Sequence, residues 1–235
     1  MAGSHVYVKA NEVHHIVLNG ANDSRGGAGV VLGGGYYNKI DQNAIGNDVH
    51  DVGTATSDRV HGIYHQSTGS IINNVIHSNP GSIGIVLWHD AKNITIANNT
   101  VVDNAVGISV GSGDWYQGPA PADNVTVINN IAYGNEAAGI QEHGLTGFNI
   151  YRNNLVYGNG TNWSLQNGMA HRGTVTADPQ FVNYRGGDYR LRPTSPAIGA
   201  GTALGELACN LSGAPPAGAT PNIGAEGWHP APAPN

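Results

Sequence analysis

A repeat constrains this chain more than any other feature. A glycine followed by a β-branched residue recurs at Gly29 (GVVL), Gly62 (GIYH), Gly84 (GIVL), Gly107 (GISV) and Gly139 (GIQE). Each is expected to lead into an asparagine corner, at Asn43, Asn74, Asn99, Asn130 and Asn154. Residues 84–104, GIVLWHDAKNITIANNTVVDN, display a whole unit: the apolar runs Ile85–Leu87, Ile94–Ile96 and Val101–Val102 alternate with turn-forming residues. The starts at 62, 84 and 107 are 22 and 23 residues apart, the length of one turn of three short strands. A unit of this kind buries its apolar face by stacking on its neighbours, so the chain is expected to fold as an all-β solenoid.

Composition agrees with that expectation. Gly accounts for 35 residues and charged residues for 11%, which excludes helical bundles, while 40% hydrophobic residues suffice for a packed core. The formal net charge is −6 and Lys and Arg do not cluster, so a nucleic-acid partner is not expected. Cys209 stands alone, which excludes an internal disulfide or a cysteine metal site. The sequence holds no apolar run of the roughly 20 residues that a membrane span requires, and a membrane partner is not expected. The opening Met-Ala-Gly-Ser-His lacks an apolar stretch and reads as a trimmed mature end.

The expected organisation is a run of coils over 1–175, with loops inserted at about 46–61 and 111–123. A closing segment over 176–228 packs on the coils, and a flexible tail spans 229–235. Loops on a rigid scaffold are where function is usually placed. In stacked coils the asparagine corners are expected to form an internal ladder with a step of about 4.8 Å. Trp163, Leu165 and Met169 are expected to cover the far end of the core. The sequence has no amphipathic helix ahead of the first coil, which leaves self-association through that end open.

The repeat over 29–160 resembles the right-handed parallel β-helix family, which includes pectate-type polysaccharide lyases, mannuronan epimerases and some glycoside hydrolases. The segments ADPQFVNYRGGDYRLRPTSPAIGAG (177–201) and PNIGAEGW (221–228) are similar to the closing segment of many bacterial members, although Asn222 and Gly227 depart from that pattern. The resemblance implies a polysaccharide partner along one strand face and a secreted or periplasmic location. HGIYHQ (61–66) is loosely similar to the Tyr-Gly-x-Asp-Pro-His motif of mannuronan epimerases but lacks its Asp and Pro, which weighs against epimerisation.

Strand alternation locates a candidate site. Counting from each repeat glycine, the second and fourth positions face outward and the first and third inward. An outward stripe then collects Tyr64, Gln66, Trp88, Gln141 and His143, with His89 and Asp90 at the adjoining turn and Asp114, Trp115 and Tyr116 in the neighbouring loop. His65 and Glu142 fall at inward positions. Each reads as a sign that its strand ends one residue early, which exposes His65 at the groove; the alternative is a hydrogen-bonded structural histidine.

Within this stripe the β-elimination of a uronate glycan assigns His65 or His89 as base and Tyr64 as acid, with Gln66, Gln141 or His143 holding the carboxylate. Glu142 joins the catalytic candidates through a rival hydrolytic reading, in which Asp90, Asp114 and Glu142 form a carboxylate set at the roughly 5–9.5 Å spacing of glycosidases. A third reading is a non-catalytic carbohydrate-binding or adhesion solenoid, with Trp88 and Trp115 stacking on sugar rings. The sequence marks no certain cofactor. A divalent cation such as calcium is an alternative means of holding the carboxylate, and His65, His89 and His143 are weighed as metal ligands. His14–His15, His50, His61, His77, His171 and His229 are expected to be solvated or structural.

Overall fold

The computed structural model describes residues 5–17, 26–33, 41–54, 59–89, 91–111, 122–143, 148–204 and 220–225. The first coil comprises β1 (Val6–Lys9), β2 (Glu12–His14) and β3 (Gly27–Leu32), and the second β4 (Asp41–Ile45), β5 (Asp48–His50) and β6 (Val60–His65). The third coil comprises β7 (Thr68–Ile72) and the long β8 (Val75–Leu87), and the fourth β9 (Lys92–Ala97) and the long β10 (Thr100–Val110). The fifth holds β11 (Asp123–Ile128), β12 (Ile131–Tyr133) and β13 (Ala138–Glu142). The sixth holds β14 (Ile150–Arg152), β15 (Leu155–Tyr157) and β16 (Thr161–Ser164), and β17 (His171–Arg172) starts one more turn.

Parallel pairing between successive coils builds three faces. The first runs β1-β4-β7-β9-β11-β14-β17, the second β2-β5-β8-β10-β12-β15, and the third β3-β6-β8-β10-β13-β16. β8 and β10 serve two faces each because they bend at Ser78 (φ 54°) and Asp103 (φ 53°), both in the left-handed region. The three apolar runs of residues 84–104 therefore lie on three different faces.

Inside, like residues stack in columns. Ile63, Ile85, Ile108 and Ile140 are paired rung to rung and wholly buried, and each such side chain contributes roughly 1.5–3 kcal/mol of burial. The repeat glycine has a steric cause. A Cβ at Gly62 would lie 2.5 Å from the Gly84 carbonyl oxygen, and one at Gly107 2.5 Å from that of Gly139. The coils approach so closely at this corner that a side chain has no room.

Two asparagine ladders hold the corners. Nδ2 of Asn47 donates to Asn74 Oδ1, that of Asn74 to Asn99, and that of Asn99 to Asn130, each at 2.9 Å; Asn130 continues to Asn154 at 3.0 Å. The residue before each ladder member occupies the left-handed region, as at Asn73, Asn98, Asn129 and Asn153, which accounts for the Asn-Asn pairs. In the second coil Gly46 (φ 63°) takes that place, so the corner is Asn47 and not Asn43. Asn43 lies within β4 and accepts from Ser70 Oγ at 2.6 Å. A second ladder, not expected from the sequence, links Asn79, Asn104, Asn135 and Asn159 between the second and third faces at 2.7–3.0 Å.

The segment expected to project as a loop at 46–61 is corrected in the same way. Asp48–His50 is a strand of the second face, and Val60 already belongs to β6. Residues 55–58, and 112–121 of the other expected loop, lie outside the described residues.

After β17 the chain forms the antiparallel pair β18 (Phe181–Asn183) and β19 (Asp188–Leu191). Phe181, Tyr189, Ala197 and Ile223 pack with Val75, Val102, Ile131 and Leu155 of the second face. The left-handed corner asparagines tie this segment down: Asn98 donates to Asn222 O at 3.1 Å, Asn129 to Thr202 O at 2.8 Å and Asn153 to Ala200 O at 3.3 Å. Trp163, Leu165 and Met169 pack against the main core. The tail at 229–235 lies outside the described residues.

Candidate functional site

The third face carries the stripe expected from alternation. Val31, Tyr64, Val86, Ser109 and Gln141 occupy one outward row in register. Gln66, Trp88, Gly111 and His143 follow two residues on. Ladder bonds continue through this second row: Trp88 N donates to His65 O at 3.1 Å, and His143 N to Val110 O at 2.9 Å.

That continuation overturns the expected exposure of His65 and Glu142. The strands do not end early, so the pleat still alternates and both side chains point into the solenoid, wholly buried. His65 Nε2 lies 3.0 Å from Gln42 O, and its Nδ1 accepts from Ser67 N at 3.1 Å. These partners assign the neutral Nε2–H tautomer. Glu142 Oε2 accepts from Asn149 Nδ2 at 2.8 Å and from the Tyr151 hydroxyl. Burial, then the charge and hydrogen bond of Glu142, push the Tyr151 pKa up, so the phenol stays a donor. Both polar residues are thus satisfied inside the core, and neither reaches the groove.

The remaining described members share one surface. Tyr64 meets the His89 ring edge to face, with centroids 6.2 Å apart, and stacks with His61 at 6.0 Å. His61, expected to be solvated or structural, belongs to this aromatic group. Gln66 lies over Gly33, where a Cβ would come within 2.0 Å of its Cγ, and the Trp88 indole lies over Gly111. Each glycine leaves space for a large side chain from the adjacent coil. Gln141 Nε2 donates to Ser109 Oγ at 3.0 Å, and His143 is exposed. Asp90, Asp114, Trp115 and Tyr116 lie outside the described residues. Calcium favours six to eight oxygen ligands including carboxylates. The described residues of the stripe offer phenol, imidazole, indole and amide groups, and its two aspartates, Asp90 and Asp114, lie outside the described residues.

A second constellation, on the second face, went unrecognised in the sequence. His14, His50 and His77 occupy one row in register. His14 and His50 stack with centroids 5.2 Å apart, and His50 and His77 at 4.9 Å. Glu12 and Asp48 occupy the row two residues earlier, and Asp51 Oδ2 lies 2.8 Å from His50 Nδ1. Burial lowers the His50 pKa, but hydrogen bonds to Asp51 and Glu12 and the charges of Asp48 and Asp51 outweigh it, and the net shift is upward. The legible signal was a repeated tripeptide: Glu-Val-His (12–14), Asp-Val-His (48–50) and Val-Ile-His (75–77). Beside His77 opens a cleft of about 350 Å³ lined by Ser78, Asp103, Tyr184, Arg185 and Tyr189. There the Tyr184 hydroxyl donates to Asp103 Oδ1 at 2.5 Å.

Three parallel faces, short strands and stacked corners define a right-handed parallel β-helix. Residues 1–182 match the family model for a right handed beta helix region, and the chain belongs to that family. Among solved structures it is similar to the pectate lyase Pel9A, with 16% identity and a TM-score of 0.50 over 93% of this chain and 66% of that one. It is also similar to the A-module of a mannuronan C-5 epimerase from Azotobacter vinelandii, with 22% identity and a TM-score of 0.45 over 74% of this chain and 58% of that one. The chain therefore spans just under two thirds of the lyase's length. No curated protein matches it in sequence. At such identities the likeness establishes the fold.

Proposed function

We propose that this protein is a carbohydrate-active β-helix protein that cleaves an acidic, uronate-containing polysaccharide by β-elimination along its third face. The observation that carries this reading is the meeting of Tyr64 and His89 on an outward, partly exposed surface, 6.2 Å between ring centroids. An imidazole and a phenol side by side are a base and an acid. Amides and an exposed imidazole lie on the same face at Gln66, Gln141 and His143. The similarity in fold to a pectate lyase supports the substrate class by analogy alone.

In this reading the uronate carboxylate is held by the Gln66 amide, on the coil of Tyr64; Gln141 and His143 stand three rungs further along the face, about 14 Å away, and meet another sugar of the chain. His89 takes the proton from C5, the electron pair forms the C4–C5 double bond, and the C4–O bond breaks. Tyr64 gives its proton to the leaving oxygen. His65 and Glu142 take no part, because both are enclosed and already hydrogen-bonded. A polymeric substrate of this class goes with a secreted or periplasmic location.

Incubation with a panel of uronate polysaccharides tests the reading through the ultraviolet absorbance of the unsaturated product. Elimination yields that absorbance, and His89→Ala or Tyr64→Phe lowers kcat by roughly 10²-fold or more. Reducing ends released without the absorbance would establish hydrolysis instead. If neither product forms and His89→Ala leaves glycan affinity unchanged, the third face is not an active site.

A further inference from the structure

We propose that Asp48, His50 and His77 on the second face form a binding site for a divalent transition-metal ion of the zinc type. One ligand atom from each of the three comes within 4.8 Å of the others, and the three side chains are 18%, 16% and 13% exposed. They stand on paired strands, Asp48 opposite Val75 and His50 opposite His77, so the backbone ladder fixes their spacing. The two imidazole planes differ by 11°.

In each ring Nδ1 is engaged by a neighbouring side chain, which leaves Nε2 for the cluster. His50 Nδ1 is engaged by Asp51 Oδ2 at 2.8 Å, and His77 Nδ1 by Ser78 Oγ at 3.0 Å. Each Nε2 then turns toward acid: His77 Nε2 lies 3.3 Å from Asp48 Oδ1, and His50 Nε2 lies 3.4 Å from Glu12 Oε1. A partner on the second ring nitrogen is what orients a metal-ligating histidine.

An independent observation concerns Asp48 itself. Its Oδ1 is shielded from solvent and makes no hydrogen bond, although it sits at ion-pair distance from His77. A carboxylate oxygen held this way is costly unless something compensates its charge, and a bound cation does so. Two imidazoles and one carboxylate suit zinc-like ions and not calcium or magnesium, which favour all-oxygen shells. Three protein ligands leave a fourth position to water or to Glu12. The site is separate from the third-face stripe, so its standing does not depend on the lyase reading.

The probe is the metal alone. Protein stripped with chelator is titrated with Zn²⁺ by calorimetry, and with Co²⁺ while visible d–d absorption is followed. One tightly held ion per chain is expected, with a rise in Tm that Ca²⁺ and Mg²⁺ do not reproduce. His50→Ala, His77→Ala and the near-isosteric Asp48→Asn should each weaken binding at least tenfold, and Asp51→Asn by about tenfold through ligand orientation. The double variant His14→Ala/His15→Ala, which alters neighbouring exposed histidines, should keep the site. Binding that survives in His77→Ala and Asp48→Asn, or that disappears in the His14/His15 variant, overturns the assignment. So does the absence of any bound ion in wild-type protein.

Discussion

Tyr151 donates its hydroxyl proton to Glu142 Oε2 inside the solenoid, where both residues are almost wholly enclosed. Glu142 belongs to the row in which other coils place Leu32, Leu87 and Val110, so a carboxylate occupies an aliphatic position of the core. It does so because the next strand, β14, which opens the sixth coil, brings Tyr151 as a partner and Asn149 just before β14 supplies another.

This pairing separates a structural role from a catalytic one. Tyr151→Phe removes one donor to the buried carboxylate and should cost about 1–3 kcal/mol in denaturant unfolding. Glu142→Gln should also lower stability while leaving turnover on any cleaved glycan within a few-fold of wild type. A Glu142→Gln protein of full stability and no turnover would return Glu142 to the chemistry.

His65 and Tyr64 are neighbours with opposite expectations. His65→Ala leaves the Gln42 carbonyl and the Ser67 amide without their partner and opens a core cavity, so a loss of roughly 2–4 kcal/mol is expected. Tyr64→Phe changes an outward side chain and should stay within about 0.5 kcal/mol of wild type. Parallel urea denaturation of the two variants measures both, and equal losses would contradict the assigned directions of the side chains.

Position along the first asparagine ladder should grade the cost of losing a rung. Asn99 gives Nδ2 to Ile71 O at 2.8 Å and to Asn130, and its Oδ1 receives both the backbone and side-chain N–H of Asn74. Asn99→Ala should therefore cost at least about 2 kcal/mol. Asn11, at the open end of the same ladder and exposed, should cost clearly less when replaced by alanine. Thermal unfolding of the two variants decides the order.

Asp103 makes stability depend on pH. Burial raises its pKa above the ordinary 3.8, and the Tyr184 hydrogen bond and the nearby His77 only partly oppose this. A carboxyl with a raised folded-state pKa contributes stability below its unfolded value, and that contribution is lost as pH rises through the folded value. Asp103→Asn keeps an acceptor for Tyr184 but cannot ionise. The variant should gain stability relative to wild type as pH rises from about 3 to 6, read by chemical denaturation with chelator present. A constant difference across that range would remove the assignment.

The repeat glycine is testable in the same terms. Gly107→Ala places a Cβ 2.5 Å from the Gly139 carbonyl oxygen and 2.8 Å from Asn135 Nδ2, so both a coil contact and a ladder member must shift. Destabilisation of about 1–3 kcal/mol is expected from such overpacking. A substitution at Gly168, where nothing lies within 4 Å of the added Cβ, avoids that clash and bears only its left-handed backbone (φ 71°).

Period, strand count and the corners at Asn74, Asn99, Asn130 and Asn154 were legible in the sequence, because stacking imposes one local pattern on every coil. The corner at Gly46–Asn47 escaped because a left-handed position accepts either Gly or Asn, and only the Asn-Asn form looks like a pair. Much of the outward stripe was legible from parity, since side chains alternate wherever the ladder continues. The histidine column was written in plain view as Glu-Val-His and Asp-Val-His, but its meaning needed the register that sets His50 opposite His77.

The sequence by itself determined that this chain winds into stacked coils, since glycine, β-branched and asparagine positions recur at a period that suits little else. Tertiary structure decided which polar residues are buried and which stand at a surface. His65 is bound by the carbonyl of Gln42, 23 residues earlier on another strand of the same coil, and Glu142 by Tyr151 on the next strand. The physical reason is that a buried polar group is tolerated only where a partner reaches it. In a solenoid that partner comes from another strand or coil, and no local pattern announces it.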